Sequence, residues 1–172
     1  MIHIVIFDWG DTVMRVFPEY DGPMARWPQV EAIPGIAQVL IELHLRYRLV
    51  LATNASESGA VLVSSALRRV GLEKYFHCVF TAKELGVRKP SPAFYHAVMR
   101  ETGCGASEAV MVGDDYQNDI TVAKQAGLWT VWYNPTAAPS PRSDRLHDAE
   151  IRTMSELPAT LGKFILHEMD GC

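Results

Sequence analysis

Cysteine is scarce in this chain, and basic clusters are missing. Cys78, Cys104 and Cys172 are scattered and form no CxxC pair. That excludes a disulfide framework, and a reduced, cytoplasmic setting is the expectation. Sixteen Lys and Arg stand against twenty Asp and Glu, a net charge of −4. With no basic block to track a phosphate backbone, no nucleic-acid partner is expected. No apolar run approaches the ~18 residues that a membrane span needs, so no membrane partner is expected either. The apolar start from Met1 to Phe7 lacks a cationic flank and stops at Asp8, which reads as a strand rather than a signal peptide. None of the six histidines falls at a metal-ligand spacing, which removes support for zinc hydrolysis. Dinucleotide-binding GxGxxG, P-loop and GxSxG motifs are absent, as are repeats and low-complexity tracts.

What remains is an ordinary globular composition, 48% apolar and 21% charged over 172 residues, enough for one domain spanning 1–172 with a sizeable core. Short β-branched runs alternate with amphipathic stretches. Ile2–Phe7, Leu49–Thr53, His77–Phe80, Ala109–Val112 and Leu128–Trp132 read as strands, with Ile151 in a last edge strand. Ile36, Val39, Leu40 and Leu43 lie at helical spacing, as do Val63, Ala66, Leu67 and Val70. Further helices are expected over Ser91–Arg100, around Ile120 and Ala123 up to Gly127, and over Ser155–Leu166. Asn134–Arg145, with three prolines and three charges, reads as a loop. The alternation predicts an α/β fold: a Rossmann-like, doubly wound parallel sheet in three α/β/α layers. Ligands in such sheets bind beyond the carboxyl ends of the strands.

The polar residues gather at those ends. Asp8 ends the first strand, Thr53 and Asn54 the second, Asp114 and Asp115 the fourth, and Lys89 lies in the loop after the third. Asp8 and Asp114 converging on one spot repel unless a cation lies between them, and hard carboxylate oxygens suit Mg²⁺. A phosphate could complete the metal's shell, with Lys89, Thr53 and backbone N–H groups near Trp9 and Gly10 donating to its oxygens. Each residue alone also has a plainer reading. Asp115 or Asn118 could cap the following helix, with Asp119 in its first turn. Thr53-Asn54 is ordinary turn chemistry, and Lys89-Pro90 a solvated loop.

Phe7-Asp8-Trp9-Gly10-Asp11-Thr12 resembles motif I of the haloacid dehalogenase-like (HAD) hydrolases. Thr53-Asn54 resembles motif II, Lys89-Pro90 motif III, and Val112 to Asp115 through Asn118-Asp119 motif IV. The resemblance covers residue 1 to about 133. A response-regulator receiver domain would instead carry its acidic pair on the first strand. The resemblance implies an Mg²⁺-dependent phosphatase in which Asp8 attacks phosphorus and forms an aspartyl-phosphate. Asp8, the Gly10 carbonyl and Asp114 would then hold the metal, with Asp115 and Asp119 supporting it. Thr53 and Asn54 would hold phosphoryl oxygens or substrate, and Lys89 would offset the charge of Asp8 and the phosphate. The implied partner is a small phosphorylated substrate.

Two departures stand out. Family phosphatases usually carry Asp two residues after the nucleophile as acid and base; here that residue is Gly10. General acid–base help is worth roughly 10²–10⁴-fold, so weaker turnover is expected, biased to leaving groups that need little protonation. Asp11 is a candidate replacement, although neighbouring residues normally face opposite ways. The glycine also leaves open a carbon–halogen or carbon–phosphorus hydrolase using the same Asp8, and a non-catalytic phosphate-binding regulatory module. The second departure is size: only a cap-site loop at about 14–33 separates motif I from the next helix, as in a capless member. Its Phe17, Tyr20, Met24 and Trp27 fit a self-packed loop, a lid over the pocket, or a face that meets a second copy in a homo-oligomer.

Overall fold

Period-two alternation in each strand sets the architecture. In the computed structural model, which describes residues 1–141 and 145–169, Val5 and Phe7 of strand β1 (Ile4–Phe7) point to one apolar layer. Ile4 and Ile6 point to the other. Strand β1 is followed by helix α1 (Ile36–Leu43), strand β2 (Arg48–Thr53) and helix α2 (Ala60–Arg69). Then come strand β3 (Cys78–Thr81), a four-residue helix α3 (Ala82–Leu85), helix α4 (Pro92–Thr102) and strand β4 (Ala109–Gly113). A π-helical turn, Tyr116–Thr121, runs into α5 (Val122–Gln125), and β5 (Trp129–Tyr133), β6 (Ala149–Ile151) and α6 (Leu157–Met169) complete the described chain. Cys172 and part of the Asn134–Arg145 loop lie outside the described residues.

All six strands are parallel, in the order β3-β2-β1-β4-β5-β6. Helices α1, α2 and α6 cover one face and α4 and α5 the other, so the sheet is buried on both sides as parallel sheets require. The expected fold class is therefore the observed one. Among the described residues no helix is long and apolar enough to cross a membrane.

The differences from the sequence expectation are local. Strand β1 begins at Ile4 rather than Ile2, because the ladder opens where Ile4 meets Arg48 and Ala109. The third strand runs one residue later than expected, and α3 was not anticipated because four residues are too few to show a period. The helix expected around Ile120 begins as a π-helical turn, a wider coil that sequence spacing does not distinguish from an ordinary helix.

Strand order reverses between β1 and β4. Phe7 pairs with Val112 across that junction and with Leu51 on the other side. The register therefore brings Asp8, Thr53 and Asp114 out at one rim, the crevice where doubly wound sheets bind ligands.

Candidate active site

Asp8 follows the last residue of β1, and its backbone N–H donates to the Val112 carbonyl at 3.0 Å, fixing the strand end against β4. Beyond β4, Asp114 and a buried Thr12 hold each other. The Thr12 hydroxyl donates to Asp114 Oδ1 at 3.0 Å, and the Asp114 N–H donates back to Thr12 Oγ1 at 3.2 Å. The Trp132 indole donates to the Asp114 carbonyl at 2.9 Å. Asp119, on the π-helical turn, is fully buried, and its Oδ2 accepts the Asp115 N–H at 3.1 Å. Gly113 is required here: a Cβ at that position would collide with the Asp119 carboxylate.

Lys89 is the centre of the network. The loop that carries it follows α3, and the side chain is 2% exposed, which rules out the solvated-loop reading. Its Nζ donates to Asp8 Oδ1 and Asp119 Oδ1, both at 2.6 Å, and to the Ala52 carbonyl at 3.2 Å. All three ammonium protons are thus used. Burial by itself lowers the lysine's hold on its proton. The facing carboxylates of Asp119 and Asp8 overcome it and hold the ammonium well above the ordinary lysine range. Asn54 orients this loop, accepting the Lys89 N–H at 2.8 Å and donating to the Lys89 carbonyl at 2.9 Å. Tyr95, fully buried beneath, donates toward the Asn118 carbonyl at 3.2 Å.

Electrostatically the site is short of positive charge. Ligand oxygens of Asp8, Asp114 and Asp119 lie within 4.8 Å of one another, against one buried ammonium. Desolvation and the Asp8 charge push the Asp114 carboxyl up to about 6, and the same two causes push Asp119 up, opposed by Lys89. Three converging hard oxygen donors with unbalanced negative charge fit Mg²⁺.

The remaining candidates stand around this centre. Thr53 Oγ1 accepts the Ala55 N–H at 3.2 Å, which leaves its own proton to donate. Gly10, Thr53 and Asn54 line a cavity of about 450 Å³ together with Asp8, Lys89 and Asp119. Asp115 is at its rim, with Oδ1 capping the helix through the Gln117 and Asn118 N–H groups at 3.0 and 2.9 Å. Asp11 takes a left-handed backbone (φ 53°), and its Oδ1 accepts the Val16 N–H at 2.9 Å. Its carboxylate is thereby committed to the turn and does not line the cavity. Val16 Cγ2 stands 3.0 Å from where a Cβ on Gly10 would be, so the place of the missing acid is already crowded.

Thr12, Tyr95, Gly113 and Trp132 were given no role from sequence. Thr12 and Gly113 carry a readable signal, their places within the segments that resemble motifs I and IV.

The model of the haloacid dehalogenase-like hydrolase family matches residues 7–133, so the chain belongs to that family. It is 31% identical over 137 residues to ribulose-1,5-bisphosphate 5-phosphatase of Halopiger xanaduensis, covering 75% of this chain and 56% of that one. It is 32% identical over 109 residues to glyceraldehyde 3-phosphate phosphatase of Pyrococcus abyssi, covering 63% and 44%. The chain thus spans about half the length of these curated relatives. Among solved structures, the 2-haloacid dehalogenase of Pseudomonas syringae superposes with a TM-score of 0.81 at 25% identity, over 95% of this chain and all of that one.

Proposed function

We propose that the chain is an Mg²⁺-dependent phosphatase of small phosphate monoesters working through an aspartyl-phosphate on Asp8. The observation that carries this reading is the buried Lys89 ammonium bridging Asp8 and Asp119 beside the third carboxylate of Asp114. Its relatives named as phosphatases support it. In this reading Asp8, the Gly10 carbonyl and Asp114 hold Mg²⁺, with Asp119 and the rim Asp115 ordering its surroundings. When bound, the ion supplies charge to offset the three carboxylates and the phosphate.

The chain's own residues do the rest. Lys89 holds one Asp8 oxygen through a short charge-assisted hydrogen bond, which aims the carboxylate so that its other oxygen supplies the lone pair that attacks phosphorus. The free Thr53 proton donates to a phosphoryl oxygen. Asn54 acts at one remove, by holding the Lys89 backbone. Lacking a carboxylate at Gly10, the site favours phosphates whose leaving group departs unprotonated. The 14–33 segment stands in place of a cap, and the chain works as one catalytic domain.

Phosphate release from an aryl phosphate, dependent on Mg²⁺ and abolished in Asp8→Asn, is the expected result. Release that persists in Asp8→Asn, or none from the native protein across aryl, acyl and alkyl phosphates, would refute the proposal. A dehalogenase reading draws on the Pseudomonas syringae neighbour. The triple-carboxylate cluster favours the metal-dependent chemistry, and metal-independent halide release would reverse that choice.

A further inference from the structure

The cavity has a second wall, and it is bolted in place. Arg69, in the last turn of α2, donates to three carbonyls of the 14–33 insert: Ala25 at 3.2 Å, Trp27 at 2.6 Å and Pro28 at 3.2 Å. The Trp27 indole donates to the Asp21 and Gly22 carbonyls of the same loop at 3.2 and 3.0 Å. Its ring meets Tyr20 and Phe17 edge-on, centroids 5.6 and 6.4 Å away. The neck is closed by Arg15 N–H to the Glu31 carbonyl and Ile33 N–H to the Val13 carbonyl, each 2.9 Å. Neck, interior and far side are thus all tied by hydrogen bonds, and the insert forms one wall of the cavity.

Val16, Met24 and Trp27 of the insert line the cavity, as does Trp9. Lys89 is the single cationic side chain on the described lining, and its protons are already engaged. Glu57 also lines the cavity. A second phosphate or a carboxylate on the substrate would find no cation there and would meet Glu57. A flat, neutral ring would find apolar contact.

We infer that the insert is a leaving-group subsite for aryl phosphate monoesters, and that Arg69 is the positioning residue that sets its wall. The inference rests on the phosphatase reading above. Asp8 Oδ forms a bond to phosphorus while the bond from phosphorus to the aryl oxygen breaks, and the aryloxide leaves with that electron pair. A phenol ionises near a pKa of about 10, so it departs without the acid that Gly10 lacks and takes its proton from solvent. Water then attacks the aspartyl-phosphate at phosphorus, releasing inorganic phosphate and restoring Asp8.

Calorimetric binding to Asp8→Asn tests the subsite without turnover, using phenyl phosphate, methyl phosphate and fructose 1,6-bisphosphate. Burial of the ring should make phenyl phosphate at least about tenfold tighter than either competitor. Adding Trp27→Ala or Arg69→Met should erase most of that advantage, and Arg69→Lys should restore part of it. Equal affinities for the three ligands, or an advantage that survives both Trp27→Ala and Arg69→Met, would overturn the inference. Failure of the phosphatase reading has a different signature, an aryl binding preference in a protein with no Asp8-dependent phosphate release.

Discussion

Asp114 shows how strongly a single carboxyl can depend on its surroundings. Held to about 6 by burial and by Asp8, it keeps its proton in the native state well above the ~3.9 at which an unfolded Asp loses it. A raised native pKa means that its stabilising contribution is complete below about pH 4 and is lost as pH rises through about 6. Without Mg²⁺, Asp114→Asn should therefore match the parent near pH 4 and exceed its stability by about 2 kcal/mol at pH 7. Urea denaturation in chelator at the two pH values checks this, and a gap that stays constant would contradict it. Excess Mg²⁺ should reverse the order at pH 7, since the ionised carboxylate is then the form that binds. Lys89→Met acts in the opposite sense. It leaves Asp8 and the fully buried Asp119 without their shared cation, and should cost about 3–5 kcal/mol at neutral pH. An unchanged urea midpoint would show that the pair is not buried as described.

Among the elements, the π-helical turn has the largest consequence, because it begins with a cap and carries Asp119. Asp115 accepts two N–H groups there while its own N–H steadies the Asp119 carboxylate. Asp115→Ala should cost about 1 kcal/mol of stability and weaken Mg²⁺ binding as Asp119 loosens; calorimetry reads both. This element also marks the limit of what could be read from sequence. Asp115 as a cap was legible, since Asp before a helical stretch has a known use. The wider coil was not, because side-chain spacing carries no record of which carbonyl each N–H chooses. The parallel α/β/α sheet and the convergence of Asp8, Lys89 and Asp114 were likewise legible, resting on alternation and on polar residues at strand ends, whereas the order of the strands was not. Asn54 was harder to read. Its partner is the backbone of Lys89, 35 residues away, and a backbone group has no sequence identity to recognise. Thr12 lies inside the motif I segment, but that it clasps Asp114, and that Trp132 clasps the Asp114 carbonyl, was hidden for a different reason: both are long-range pairings that only the β1–β4–β5 register creates.

At the scale of the whole molecule, the four tryptophans sample separate regions. Trp27 reports the insert, Trp9 the site, and Trp129 and Trp132 the strand next to β4. If the insert belongs to the same cooperative unit as the sheet, urea unfolding followed by tryptophan fluorescence and by far-ultraviolet circular dichroism should give one coincident transition. An earlier fluorescence step, absent in Trp27→Phe, would make the insert a unit of its own.

The Lys89 ammonium is also shut off from reagents. Lys74, Lys83 and Lys163 are exposed and Lys124 half-exposed, so amine-directed reagents have ready targets there. Lys89 is almost fully buried and has no lone pair to offer while Asp8, Asp119 and the Ala52 carbonyl hold its three protons. Its acylation would therefore proceed only through molecules in which this carboxylate–lysine network has transiently come apart. The slowest-labelled amine in the chain becomes a clock for how often that happens.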